Sequence, residues 1–205
     1  MKILIDPGHG GKYPGAVNER LGIKESSVTL VHSMAIHERL VKSGHRVKLT
    51  RVDDVHFSPV LAEDLRDRVV IANVWKPDLF LSVHCNASEA VNANGIEVWT
   101  SPGETASDAA ATAIYNSVLT TFPHKNFRKD MSDGDPDKES AFYVLAKTKC
   151  PAVLIELGFL SNDMEAEWLD TEKTVKEYAA AIAMGIELWG AGCNVGEMST
   201  NVKLT

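Results

Sequence analysis

Lys2-Ile3-Leu4-Ile5-Asp6-Pro7-Gly8-His9-Gly10-Gly11 decides how this chain is read. A short apolar run ends in a glycine-lined turn that carries an imidazole. Ligands of open α/β sheets bind beyond the carboxyl ends of the strands, where glycines let backbone and substrate approach closely. A second apolar run, Leu79-Phe80-Leu81-Ser82-Val83, leads to His84, Cys85 and Asn86, and a third, Ala152-Val153-Leu154-Ile155, ends in Glu156. Three strands therefore point two histidines and a carboxylate at one edge, the pattern of a metal site.

Outward from these runs, strand-length apolar segments alternate with helical patterns, as in an α/β fold built from crossover units. Helical spacing predicts a helix over 25–43, with apolar positions from Val28 to Val41 and Gly44 where a C-terminal cap belongs. A strand follows over 47–50, then a helix over 61–74 with Arg66 and Arg68 on its polar side and Pro77 beyond its end. Residues 95–99 read as a strand, 105–121 as an alanine-rich helix, 142–145 as a short strand or a packing turn, 152–157 as a strand and 171–189 as the last helix. The expected architecture is one globular α/β domain over 1–189, with a mostly parallel or mixed sheet of about six strands flanked by helices. Residues 123–140, rich in Lys, Asp, Gly and Pro, read as a surface loop beside the site or a disordered insertion. Residues 190–205 read as a linker-like or disordered tail.

Bulk properties exclude several classes. The 205 residues, 44% of them hydrophobic, suffice for one well-buried core. A net charge of -7 argues against nucleic acid, whose binding needs clustered Lys and Arg. No apolar run reaches the roughly 18 residues of a membrane span, so no membrane insertion is expected. Three cysteines, Cys85, Cys150 and Cys193, are too few and odd in number for a disulfide scaffold and read as free thiols. The thermolysin-type His-Glu-x-x-His helix, the Gly-x-Ser-x-Gly elbow and the Walker loop are all missing from the sequence.

Further pieces fall in a fixed order: Glu25 with Leu30, Thr50-Arg51 with Asp54, Gly95-Ile96-Glu97-Val98, and Pro151 to Asn162. With the three strand-end motifs they resemble the zinc-dependent N-acetylmuramoyl-L-alanine amidases of the amidase_3 family, over essentially Met1 to Trp189. That resemblance implies an α/β fold, one zinc ion held by His9, Glu25 and His84, and Glu156 as the catalytic carboxylate. It also implies peptidoglycan as the partner, cut at the amide joining muramic acid to the L-alanine of the stem peptide. Two imidazoles and a carboxylate with an open position form the usual ligand set of a hydrolytic zinc site, and a Glu at a strand end can have its pKa raised toward neutrality for proton transfer.

Taken without the resemblance, Glu25 also suits a helix start through the macrodipole alone. His32, His37, His45, His56 and His124 read as solvated or packed. Cys85 should lie behind the sheet, because adjacent strand residues face opposite ways. Asn86 is a candidate for orienting substrate, Asp6 for accepting an imidazole N–H, and Trp99 and Phe127 for packing or substrate contact. The first residues read as a strand instead of an export signal. Synthesis in the cytoplasm as a monomer is expected, with action on the wall after phage lysis or non-classical export, as an endolysin or an autolysin. A metallopeptidase cutting stem or cross-bridge peptides, and a non-catalytic wall-binding module, remain as alternatives.

Overall fold

The computed structural model describes residues 1–192; Cys193 and most of the expected tail lie outside them. The first half contains β1 (Lys2–Pro7), β2 (Val17–Asn18), β3 (Ile23–Lys24), α1 (Glu25–Lys42), β4 (Arg46–Leu49), α2 (Leu61–Trp75) and β5 (Leu79–Asn86). The second half continues with β6 (Glu97–Thr100), α3 (Asp108–Thr121), β7 (Lys138–Glu139), α4 (Tyr143–Lys147), β8 (Ala152–Phe159), α5 (Asp163–Leu169) and α6 (Glu172–Gly190). Six strands form one sheet in the order β4-β1-β5-β8-β6-β7. The first four are parallel, β6 runs antiparallel to β8, and β7 is parallel to β6. Strands β2 and β3 make a separate antiparallel pair.

The near-continuous apolar runs of β1, β5 and β8 follow from burial on both sheet faces. Ile3, Ile5, Leu81, Val83, Val153 and Ile155 face α1, α3 and α6 in the larger core. Leu4, Phe80, Ala152 and Leu154 face the smaller core, which takes Val69 and Ala72 from α2 and Val144 and Leu145 from α4. Period-two alternation continues along this second face: after Phe80 come Ser82 and His84, and after Leu154 comes Glu156. The polar ends of the strands thus emerge where the apolar cover stops.

Several expectations are corrected. Residues 143–147 are helical, because Val144 and Leu145 must both reach the same core from one turn, which a strand's alternation forbids. Arg68 does not lie on a polar helix face; it is 2% exposed and bonds Asp6 and Asp64. The 123–140 segment is the largely exposed loop that one of its two readings expected, tied to the sheet by the Ile96–Phe127 bridge and by β7. Helix α5, unforeseen, starts at Asn162, whose side chain accepts from the N–H groups of Met164 and Glu165. Asn162 followed by Glu165 is an N-cap signature readable in the sequence.

Candidate active site

His9 follows the end of β1 with a positive φ of 61°, a left-handed conformation uncommon outside glycine and frequent at functional positions. Its loop is held from beneath. Arg68 donates to the carbonyls of Pro7 at 2.8 Å and His9 at 2.7 Å. Arg51 donates to the carbonyls of Pro7, Gly8 and Ser26 at 2.8 to 3.0 Å. Buried guanidinium groups thus satisfy the loop carbonyls and tie them to the start of α1.

Glu25, the first residue of α1, is 3% exposed. Its Oε1 lies 3.0 Å from His84 Nδ1 and accepts from the Cys85 N–H at 3.0 Å; its Oε2 lies 3.1 Å from His9 Nε2 and accepts from the Ala16 N–H at 2.8 Å. Burial by itself would raise this carboxyl, but hydrogen bonds from His84 and His9 hold it far below the usual range. The potential ligand atoms of His9, Glu25 and His84 all fall within 4.8 Å of one another. Among the described residues no other group of three or more His, Cys, Asp or Glu side chains has that geometry. Two imidazoles and a carboxylate on three different elements fit a zinc ion by donor chemistry.

Glu156 pairs with His84 across the β5–β8 ladder and with Glu97 across the β8–β6 ladder. Its Oε2 is inaccessible and unpartnered. Burial, reinforced by the charges of Glu25 and Glu97, pushes its carboxyl well above the ordinary range. The structure thus gathers His9, Glu25, His84 and Glu156 at one end of the sheet.

Glu97, which the sequence reading quoted within a motif but gave no role, is 2% exposed. Its Oε1 accepts from Arg128 Nε at 2.6 Å and Lys138 Nζ at 3.3 Å, and its Oε2 accepts from Asn86 Nδ2 and Trp99 Nε1, both at 3.1 Å. Asn86 therefore anchors Glu97. Trp99 packs edge-on to Phe142 with Lys138 above its ring, and Phe127 packs on Tyr115. The signal for Glu97 was a lone acid in a strand of four whose cation partners lie more than thirty residues on, invisible to local pattern.

Other candidates separate clearly. Cys85 is buried in the larger core, where desolvation raises its thiol. Asp6 accepts from Thr50, Arg68 and Ser82, so it serves the arginine under the His9 loop and no imidazole. His32 is buried against Tyr178. His56 meets Tyr13 edge-on, and His45 meets the chain's amino terminus and Glu187. A cavity of about 60 Å³ borders His9, Tyr13, Arg68 and His84. A larger one of about 790 Å³ is lined by Asn92, Lys125, Asn162 and their neighbours and touches none of the four site residues.

A family model described as Amidase_3, N-acetylmuramoyl-L-alanine amidase, matches residues 3–188. The sporulation-specific N-acetylmuramoyl-L-alanine amidase of Bacillus subtilis (strain 168) is 33% identical over 190 residues, 91% of this chain and 67% of that protein. N-acetylmuramoyl-L-alanine amidase CwlM of Bacillus licheniformis is 33% identical over 189 residues, with the same shares covered. Among solved structures, the CwlD amidase of Clostridioides difficile, in complex with the GerS lipoprotein, superposes with a TM-score of 0.84 at 28% identity, covering 93% of this chain and 98% of that one. The catalytic domain of CwlV from Bacillus (Paenibacillus) polymyxa gives 0.80 at 29% identity, covering 93% and 98%. With its buried Glu25 between two imidazoles and these matches across nine tenths of its length, the chain belongs to the N-acetylmuramoyl-L-alanine amidase family Amidase_3.

Proposed function

We propose that this chain is a zinc-dependent peptidoglycan hydrolase that cleaves the amide between N-acetylmuramic acid and the L-alanine of the stem peptide. The observation that carries the reading is the clustering of His9, Glu25 and His84 beside a carboxyl, Glu156, whose inner oxygen has no partner. Those three residues would hold the metal. When bound, zinc polarises the scissile carbonyl, brings the pKa of water to roughly 7, and by its charge favours the ionised form of a neighbouring carboxyl.

The chain's own residues do the rest. Glu25 stands between the two imidazoles, and the Ala16 and Cys85 N–H groups hold it there. Arg51 and Arg68 hold the His9 loop by its carbonyls. Glu156, adjacent to His84 in the ladder, takes the proton of the attacking water and returns it to the departing alanine nitrogen, the exchange for which a carboxyl raised toward neutrality is suited. Its position on a central strand keeps it from drifting, whereas a loop carboxylate would need ordering at each turnover.

The test is digestion of whole peptidoglycan by wild type and Glu156→Ala, with and without chelator, followed by mass analysis of the released ends. Peptides beginning with L-alanine, lost in the variant and restored by zinc only in wild type, are expected. New ends within the stem or cross-bridge would instead establish a metallopeptidase, and wall binding without products a binding module.

A further inference from the structure

The row of side chains that begins with His84 on β5 and Glu156 on β8 continues to Glu97 on β6. Adjacent strands lie about 4.8 Å apart, so Glu97 is roughly 10 Å from His84 along the sheet edge. The 123–140 segment delivers two cations there, Arg128 and Lys138, to one buried carboxylate. Trp99 and Lys138 stack at 4.3 Å, and Phe142 packs on Trp99, so the cations stand against an aromatic wall.

Arg128 engages Glu97 through Nε alone. Its two terminal nitrogens make no hydrogen bond within the described residues, and its side chain is 44% exposed. The guanidinium plane is held from below by Phe159, 5.2 Å from its ring. A fixed, half-exposed guanidinium with free terminal N–H groups matches the geometry of bidentate carboxylate recognition. Of the nearby acids, Asp130 accepts from the Ser132 N–H and lies in the field of Lys138, and Asp137 accepts from Thr100.

In intact peptidoglycan the muramoyl carboxyl is tied up in the scissile amide and the N-acetylated sugars are uncharged, so carboxylates lie on the peptide side. One extended residue spans about 3.3 to 3.6 Å, which brings the residue after L-alanine within reach of the third position of the row. We infer that Arg128 and Lys138 form a carboxylate subsite that takes the free α-carboxylate of the acidic residue following L-alanine, so that the enzyme selects stems carrying it over stems in which it is an amide. This rests on the amidase reading above.

The test measures kcat/KM on two synthetic N-acetylmuramoyl peptides that differ only in the second stem residue, γ-linked D-glutamate or its α-amide. Wild type should favour the carboxylate form by about 10-fold or more, the size of one charge-assisted hydrogen-bonded contact. In Arg128→Gln the ratio should fall toward one, chiefly through a higher KM for the carboxylate form, and in Lys138→Gln it should fall less. Equal cleavage of both by wild type overturns the inference. So does a variant that loses kcat/KM on both by the same factor, because Arg128 then serves only to neutralise Glu97. Turnover of the amide form reports that the variants fold. Digestion of whole peptidoglycan by wild type is read separately, so failure of the amidase reading is distinguished from failure of the subsite.

Discussion

Arg68 Nη1 lies 2.9 Å from Asp6 Oδ1, with both side chains 2% exposed or less, and the same guanidinium donates to the carbonyls of Pro7 and His9. This ion pair therefore has two effects: it neutralises a carboxylate inside the sheet, and it fixes the loop that presents His9. Breaking a buried pair from one side leaves the other charge uncompensated, at a cost of about 3 to 5 kcal/mol. Arg68→Met should lower stability on that scale in urea unfolding. Metal affinity should weaken in the fraction that still folds, because His9 loses its backbone anchor.

Gly8 is required by His84. A Cβ at position 8 would stand 2.4 Å from His84 Cε1 and 2.6 Å from its Nε2, distances at which something must move. The ring is the part free to give, since Gly8 itself is bonded to the strand by its N–H on the Val83 carbonyl at 2.9 Å. Gly8→Ala should therefore fold but displace an imidazole by about 1 Å, a shift that can cost on the order of 100-fold in rate. Steady-state hydrolysis with a parallel melting curve checks this; a variant with wild-type kcat would refute it.

These two relationships show what sequence can and cannot supply. The five longer strands of the sheet, the three long crossover helices, and His9, Glu25, His84 and Glu156 were legible because each sits in a local pattern, an apolar run ending in a polar residue or a helix beginning at an acid. Arg68 was misplaced, since its partner Asp6 is sixty-two positions away and helical periodicity alone puts an arginine outside. Asp6 was read as either an acceptor for an imidazole or a solvated loop residue for the same reason. Helix α4 was missed because five residues are too few to show a period, and Glu97 because its cations arrive from a remote loop.

Glu156→Gln should separate catalysis from folding. The side chain keeps its shape, while the charge that Glu25 and Glu97 oppose is removed. Loss of a proton-transferring group typically costs 10²- to 10⁴-fold, so kcat should fall in that range with zinc content unchanged. Thermal stability should hold, since the amide replaces a carboxyl that burial and two neighbouring acids already favour uncharged. A lowered melting temperature would mean that the carboxyl has a structural bond its unpartnered Oε2 does not reveal.

Removal of the metal is expected to abolish hydrolysis, with zinc restoring it in wild type. Glu25→Ala should not be restored at the same zinc concentration, because the variant loses one of three ligands. Elemental analysis after dialysis should find the zinc content of the variant well below that of wild type, because two protein ligands remain where a hydrolytic zinc site uses three. Full occupancy in Glu25→Ala would remove Glu25 from the ligand set.

His32 should make the protein less stable on mild acidification. The residue is 1% exposed; its Nε2 lies 2.9 Å from the Leu169 carbonyl, its Nδ1 has no partner, and its ring meets Tyr178 edge-on. Burial lowers its pKa from 6.5 to about 4, against a smaller opposing effect of the Leu169 carbonyl. Above pH 6.5 the ring is neutral folded or unfolded. As pH falls below 6.5 the unfolded chain takes up a proton that the folded one refuses, so stability is lost progressively down to the folded pKa near 4 and levels off below it. The full loss is about 3 kcal/mol and the loss by pH 5 about 2 kcal/mol, from roughly 1.4 kcal/mol per pKa unit. Urea midpoints at pH 7 and pH 5 should therefore differ more for wild type than for His32→Gln, which has no ring to charge and retains a donor for Leu169. The same pH slope in both proteins would show that other groups set the acid sensitivity of the fold.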